Sequence, residues 1–236
     1  DALIQDFVAG RYLAVETGAP VHCPIRAIVQ SKSLAGREAA LLREAGLAGR
    51  LAVVADQNTW EVMGRRVAAA LPGSLTVVLD HPHADEATAD QLRERTRHAD
   101  GLVAVGSGTL NDLCKYVAGA AGRPSAVFAT APSMNGFVTS TASITRGAYK
   151  LSLPVAPPSG VYFDLEVLAA APKRLIRAGL GDAICRSTSQ VDWLFSHLLL
   201  HTPYYESPYD LQLVDEPRLF AAAPRLLAGD LDALAA

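Results

Sequence analysis

Between about residues 24 and 130, short runs of β-branched and other apolar residues alternate with longer Ala-, Leu-, Glu- and Arg-rich stretches of helical period. This alternation limits the fold more than any other feature of the chain. A strand, a helix and a second parallel strand form a unit whose strands are covered on both faces, and repeating it produces a parallel sheet between helical layers. Strands are expected at Ile25 to Gln30, Leu51 to Ala55, Leu75 to Leu79, Gly101 to Val105 and Ser125 to Ala129. Helices are expected near 34–46, 59–71, 84–98 and 109–121, with Asn58 or Thr59 as a helix N-cap. The fold class that follows is α/β, a doubly wound parallel sheet of five strands.

From 131 to 160 the texture changes to Ser, Thr, Pro and Gly, and Val155 to Gly160 reads as a crossover into a second region. Beyond Asp164 the period is helical throughout, with Pro172 suited to a first helical turn and Trp193 to Leu200 apolar enough for a buried helix. The expected organisation is therefore an α/β domain over 1–162 and a helical part over 163–236. Half of the 236 residues are apolar, which suffices for a large core and excludes disorder. Lys and Arg number 21 against 24 Asp and Glu, so the chain has no basic field for a nucleic-acid backbone. No apolar run approaches the roughly 18 residues of a membrane span. Cys23, Cys114 and Cys185 are odd in number and widely spaced, which fits a reducing cytoplasm better than a disulfide framework. The chain opens at Asp1 without a signal segment and ends in a helical pattern, as a fragment of a longer polypeptide would.

The strongest chemical signal is Gly101-Leu-Val-Ala-Val-Gly-Ser-Gly-Thr-Leu-Asn-Asp112, a buried strand that runs into a Gly-rich turn and a helix. Backbone N–H groups at such a helix start favour a phosphate or pyrophosphate, and a tight turn without a ligand is the alternative. Asp56 closes the second strand, where a carboxylate can accept hydrogen bonds from a ribose diol or cap the next helix. The Ser/Thr-rich segment Thr130 to Ser143 follows the fifth strand, so its hydroxyls and the Asn135 amide are expected at the same sheet edge. Gly179-Leu-Gly-Asp182 is read as preceding a helix, with Asp182 an N-cap or a metal ligand that needs partners. His197 and His201 share a helix face at i, i+4 but lack the Glu of a zinc-protease motif. His81-Pro-His83 reads as a surface turn, and Lys150 offers a cation to an anionic ligand.

Five segments together carry a resemblance: Val-Gly-Ser-Gly-Thr-Leu-Asn-Asp-Leu-Cys-Lys-Tyr (105–116), Thr-Ala-Pro-Ser-Met-Asn-Gly (130–136), Gly-Ala-Tyr-Lys (147–150), Ala-Gly-Leu-Gly-Asp (178–182) and Asp-Trp-Leu-Phe-Ser-His-Leu-Leu (192–199). In order and spacing, from about 20 to 205, the chain resembles the sn-glycerol-1-phosphate dehydrogenase family, within the iron-containing alcohol dehydrogenases, glycerol dehydrogenases and 3-dehydroquinate synthases. The resemblance implies a Rossmann-like NAD- or NADP-binding domain followed by a helical domain. It also implies a divalent metal, usually zinc, and hydride transfer between glycerol 1-phosphate and dihydroxyacetone phosphate. Carried over by motif, Gly106, Ser107, Gly108, Thr109 and Asp112 hold the pyrophosphate and Asp56 the adenosine ribose. Thr130, Ser133 and Thr139 line the nicotinamide side, Asn135 and Lys150 are the catalytic candidates, and Asp182 is a metal ligand. The implied partner is a small phosphorylated polyol, and since family members often pair, a homodimer is one assembly to consider.

Two features depart from the family pattern. Asn135 stands where the family usually has Asp, which exchanges an acceptor-only carboxylate for a neutral amide. The two metal-binding histidines of the family come from segments beyond position 236. The expected activity is therefore a metal-dependent polyol-phosphate dehydrogenase that is inactive as this chain alone. A dinucleotide-binding module without catalysis, and a 3-dehydroquinate synthase or glycerol dehydrogenase, are the alternatives.

Overall fold

A computed structural model describes residues 2–14 and 16–235. A short helix α1 (Ala2–Val8) precedes β1 (Ala27–Ser31), α2 (Glu38–Glu44) and β2 (Leu51–Asp56). One continuous helical stretch follows, α3 (Gln57–Thr59), a π-helical turn over Trp60–Gly64 and α4 (Arg65–Ala69). Then come β3 (Leu75–Leu79), α5 (Glu86–Arg95), β4 (Gly101–Gly106), α6 (Gly108–Ala120) and β5 (Ser125–Ala129). An antiparallel hairpin, β6 (Thr141–Arg146) and β7 (Tyr149–Pro154), intervenes before β8 (Gly160–Asp164). The remainder is helical: α7 (Leu165–Ala169), α8 (Lys173–Ile184), α9 (Arg186–Leu200), α10 (Ser207–Ala228) and α11 (Leu231–Ala235).

The main sheet is parallel with strand order β1-β8-β5-β4-β2-β3. Its side chains alternate between two cores as strand geometry requires. Ala52, Val54, Leu102, Ala104 and Val127 pack with Leu92 of α5 and Leu110, Leu113 and Val117 of α6. Val53, Ala55, Val103, Val105 and Phe128 pack on the opposite face with Leu41 and Leu42 of α2 and Met63 and Val67. The helices that follow β2 and β4, which are neighbours in the sheet, therefore lie on opposite faces. This makes their carboxyl ends a switch point, where open α/β sheets leave a crevice for ligands.

The sheet has six strands rather than five. β8 inserts between β1 and β5, and the run Val155-Ala-Pro-Pro-Ser-Gly160 that precedes it gives no strand signal. This strand also crosses the position expected for the end of the α/β domain. The expected cap at Asn58 or Thr59 is instead Asp56, which accepts the Thr59 backbone N–H at 2.8 Å while its own N–H donates to Thr59 Oγ1 at 3.0 Å. Asp182 lies inside α8 rather than ahead of a helix. α9 contains no buried residue, and Phe195, Leu198, Leu199 and Leu200 are 58–73% exposed. Hydropathy counted their apolar character and could not report which face is covered. The three cysteines are free, and no helix among the described residues is long and apolar enough to cross a membrane.

Asp164 at the carboxyl end of β8 ties three elements together on the α2 side of the sheet. It caps α7 through Val167, accepts the Leu34 N–H at 3.0 Å, and pairs with Arg66 at 2.6 Å. Arg66 also pairs with buried Glu38 at 2.7 Å. Removing one member of a buried network strands the others, so Asp164→Ala is expected to cost about 3–5 kcal/mol in chemical denaturation. A second tie joins distant parts of the chain. The exposed Glu16 carboxylate accepts the Ser207 N–H and hydroxyl, both at 2.6 Å, and these bonds hold its pKa at about 2. Because that value lies below the ordinary 4.5, the contact stabilises above pH 4.5 and is lost as the pH falls towards 2. Glu16→Gln is expected to lower the Tm at pH 7 and to match the wild type near pH 2.

Candidate active site

The switch point is flanked by Asp56 on β2 and by the Gly106-Ser107-Gly108 turn that joins β4 to α6. Helix starts carry N–H groups without intrahelical partners, and side chains usually satisfy some of them. Aspartates do so after β2, β3 and β8: Asp56 accepts from Thr59, Asp85 from Thr88 and Asp164 from Val167. The start of α6 has no side-chain cap, since Ser107 at the N-cap makes no such bond. These N–H groups and the positive end of a 13-residue helix face a cavity of about 600 Å³.

Five segments meet at that cavity, the connection between β3 and α5 among them. Gly108, Thr109 and Asp112 come from α6, Met134 and Asn135 from the loop after β5, Lys150 from the hairpin, and Asp182 from α8. Thr139 lines it as well. A close approach brings α8 in: a Cβ on Gly179 would overlap the Pro132 carbonyl oxygen, so only glycine lets the helix pass the loop here. One helical turn on, Asp182 Oδ2 accepts the Asn135 backbone N–H at 2.8 Å. The carboxylate and the Asn135 loop are thereby fixed to each other.

Of the residues singled out in the sequence, Gly108, Thr109, Asp112, Asn135, Thr139, Lys150 and Asp182 line this one cavity. Gly106 is the buried last residue of β4, and Thr130 is buried, with its N–H donating to the Gly106 carbonyl at 3.1 Å. Ser107 and Ser133 do not line the cavity. Asp56 borders a separate hollow of about 80 Å³ with Gln57, Asn58, His81 and Pro82. Here His81 adopts a left-handed backbone with φ 40°, uncommon outside glycine and asparagine.

His83, read as part of a surface turn, and Thr145 escaped the sequence reading and line the cavity, together with Thr141 and Ser143 of the segment whose hydroxyls were expected at this sheet edge. The hydroxyls alternate along β6, and Thr145 pairs with Lys150 across the hairpin, so all four side chains share one face. The signal was present in the alternation of Thr141-Ala-Ser-Ile-Thr145. Lys115 had no signal beyond its place in a helix. It is fully buried, and its ammonium reaches the Thr141 carbonyl at 2.6 Å, Thr139 Oγ1 at 3.1 Å and Asp112 Oδ1 at 3.1 Å.

A catalytic metal needs three or four protein or solvent ligands. Asp182 brings one carboxylate, and no group of three His, Cys, Asp or Glu able to hold an ion occurs among the described residues. His197 Nδ1 is bonded to the Thr202 carbonyl at 2.7 Å, and His201 ends α9 in the left-handed region. Neither lines the cavity. The described residues of this chain do not by themselves form a metal site, whereas the uncapped helix start and its glycine turn do fit the pyrophosphate of a dinucleotide.

The model for iron-containing alcohol dehydrogenases matches residues 29–172. This chain belongs to that family. Among its relatives, the glycerol-1-phosphate dehydrogenase [NAD(P)+] of Halalkalibacterium halodurans is 33% identical over 177 residues, covering 69% of this chain and 43% of the relative. The enzyme of the same name from Geobacillus stearothermophilus is 32% identical over 203 residues, 82% of this chain and 50% of the relative. The chain thus spans about half the length of these relatives or less. Among solved structures, glycerol dehydrogenase from Schizosaccharomyces pombe aligns with a TM-score of 0.58 at 25% identity, over 68% of this chain and 42% of its own. An iron-containing alcohol dehydrogenase from Thermotoga maritima shares the fold with a TM-score of 0.71 at 16% identity, over 90% of this chain and 64% of its own.

The Gly179 approach gives a direct test of how the site is held in this iron-containing alcohol dehydrogenase relative. Gly179→Ala is expected to destabilise by about 1–3 kcal/mol through overpacking against Pro132. Gly181 has open space at its Cβ position, so Gly181→Ala is expected to stabilise the helix by about 0.5–1 kcal/mol. Chemical denaturation of the two variants side by side measures both.

Proposed function

We propose that this chain forms the dinucleotide-binding part of an NAD(P)-dependent dehydrogenase that interconverts sn-glycerol 1-phosphate and dihydroxyacetone phosphate. The observation that carries the reading is the uncapped start of α6 opening into the same cavity as Asn135, Lys150 and Asp182. The names of the relatives at 32–33% identity, glycerol-1-phosphate dehydrogenase [NAD(P)+], support glycerol 1-phosphate and NAD(P).

In this reading the N–H groups at Gly108 and Thr109 bind the pyrophosphate, and Ser107 and Gly106 shape the turn that admits it. Asp56 at the β2 edge accepts from the adenosine ribose, which favours NAD over NADP. Thr130, Ser133 and Thr139 border the nicotinamide side, and a bound nicotinamide supplies the hydride acceptor or donor. Lys150 attracts an anionic substrate group, and the Asn135 amide can donate to a substrate oxygen as well as accept from a hydroxyl. Asp182 contributes one ligand to a metal site whose other ligands lie outside the described residues. The division of labour places cofactor binding in 1–162 and the first part of the metal and substrate domain in 163–236.

Asn135, a neutral amide beside Asp182, favours a second reading in which the module binds dinucleotide without turnover. The absorbance of reduced nicotinamide decides between them in the full-length protein, with dihydroxyacetone phosphate, NADH or NADPH, and added zinc. Oxidation that depends on dihydroxyacetone phosphate is the expected result. Cofactor binding with no oxidation at any metal concentration would sink the dehydrogenase reading, and Asn135→Asp would then be the variant to assay.

A further inference from the structure

Asp112 presents a difficulty for anion binding at α6. It sits four residues beyond Gly108, about 6 Å along the helix axis at 1.5 Å per residue, and it lines the same cavity. A carboxylate accepts hydrogen bonds and donates none, so it cannot bind a pyrophosphate oxygen directly and repels it through space. Both of its oxygens are already engaged. Oδ1 pairs with Lys115 at 3.1 Å, and Oδ2 accepts the Ser143 N–H of the hairpin at 3.1 Å.

Lys115 is unusual in turn. Its side chain has no exposure, and three close acceptors match its three protons: Thr141 O, Thr139 Oγ1 and Asp112 Oδ1. Two of the three belong to the segment that carries the substrate-side hydroxyls. A buried ammonium is costly unless paired and fully hydrogen-bonded, and here it has both conditions met.

We infer that Lys115 is a positioning residue that makes the α6 anion site usable. It cancels the charge of Asp112 beside the phosphate position and holds the Thr139–Thr141 segment and the hairpin against the dinucleotide turn. Asp112 is then a bracket between α6 and β6 rather than a ligand of the pyrophosphate. The inference rests on the dinucleotide reading above and adds to it a residue that reading does not use.

The test measures NADH and NADPH affinity by fluorescence in full-length wild type, Lys115→Met, Asp112→Asn and the double variant Asp112→Asn/Lys115→Met. Lys115→Met leaves an uncompensated carboxylate by the phosphate, so its binding is expected to weaken about ten- to a hundredfold, with the loss shrinking at high salt. The double variant is expected to recover to within about threefold of wild type, because the two effects couple through charge. A purely structural lysine gives a different pattern, since the stranded carbonyls are the same in both variants. A double variant as weak as Lys115→Met, or a Lys115→Met that binds like wild type, overturns the inference. If Lys115→Met does not fold, Asp112→Asn alone decides: binding at least as tight as wild type is expected, and a tenfold loss would mean that Asp112 itself holds the cofactor. A wild type that binds neither nucleotide overturns the dinucleotide reading itself, and this inference with it, before any variant is compared.

Discussion

Two neighbouring parallel strands, β2 and β4, send their helices to opposite faces of one sheet, and the crevice this leaves at their carboxyl ends is the constraint on which the site depends. Backbone groups at that edge have no neighbouring chain to satisfy them. After β2 the chain answers with Asp56, which commits one carboxylate oxygen, Oδ1, to the first turn of α3. After β4 it supplies glycines and no cap, which leaves the N–H groups of α6 directed at the cavity. The difference between the two turns is one of side-chain chemistry, and it fixes where an anion is favoured.

Buried charge is handled differently on the two sides of the sheet. On the α2 side, Arg66, Glu38 and Asp164 form a closed ionic cluster that joins α2, α4 and the end of β8. It fixes the carboxyl end of β8 against α2 and α4. On the α6 side, Asp112 and Lys115 join the helix to the Thr139–Thr141 segment and the hairpin. The hairpin, a separate two-stranded sheet, is further oriented over the cavity by Ala142, Ile144 and Leu153 packed on the core, the Thr145–Ala84 bond and the Arg146–Glu86 pair. A polar network at such a junction gains specificity of arrangement as well as stability.

Much of this was legible in the chain. Runs such as Leu51 to Ala55 and Gly101 to Val105 announced strands buried on both faces, and the glycine turn after β4 announced the tight strand-to-helix junction at the start of α6. β8 was hidden because its partners, β1 and β5, are remote in sequence and the prolines before it read as loop. Pro172, read as suited to a first helical turn, is the N-cap of α8, whereas Asp182 was read as preceding a helix and lies inside this one, where Gly179 is needed for contact with Pro132. The role of Lys115 was hidden, since apart from Asp112 one turn away its acceptors are carbonyl oxygens and a hydroxyl brought in by the fold over 136–141. The candidates that line the cavity were legible where the segment is local to a turn, and its other lining residues were hidden where packing brings them in.

The central claim is that an anion binds at the open start of α6. Hydrogen exchange resolved to single amides, with and without saturating NADPH or NADH on the full-length protein, tests it most directly. The amides of Gly108, Thr109 and Leu110 are expected to slow on binding, while those of the Asp-capped start of α5 stay unchanged. Saturable nucleotide binding that leaves the three α6 amides exchanging as before would contradict the account.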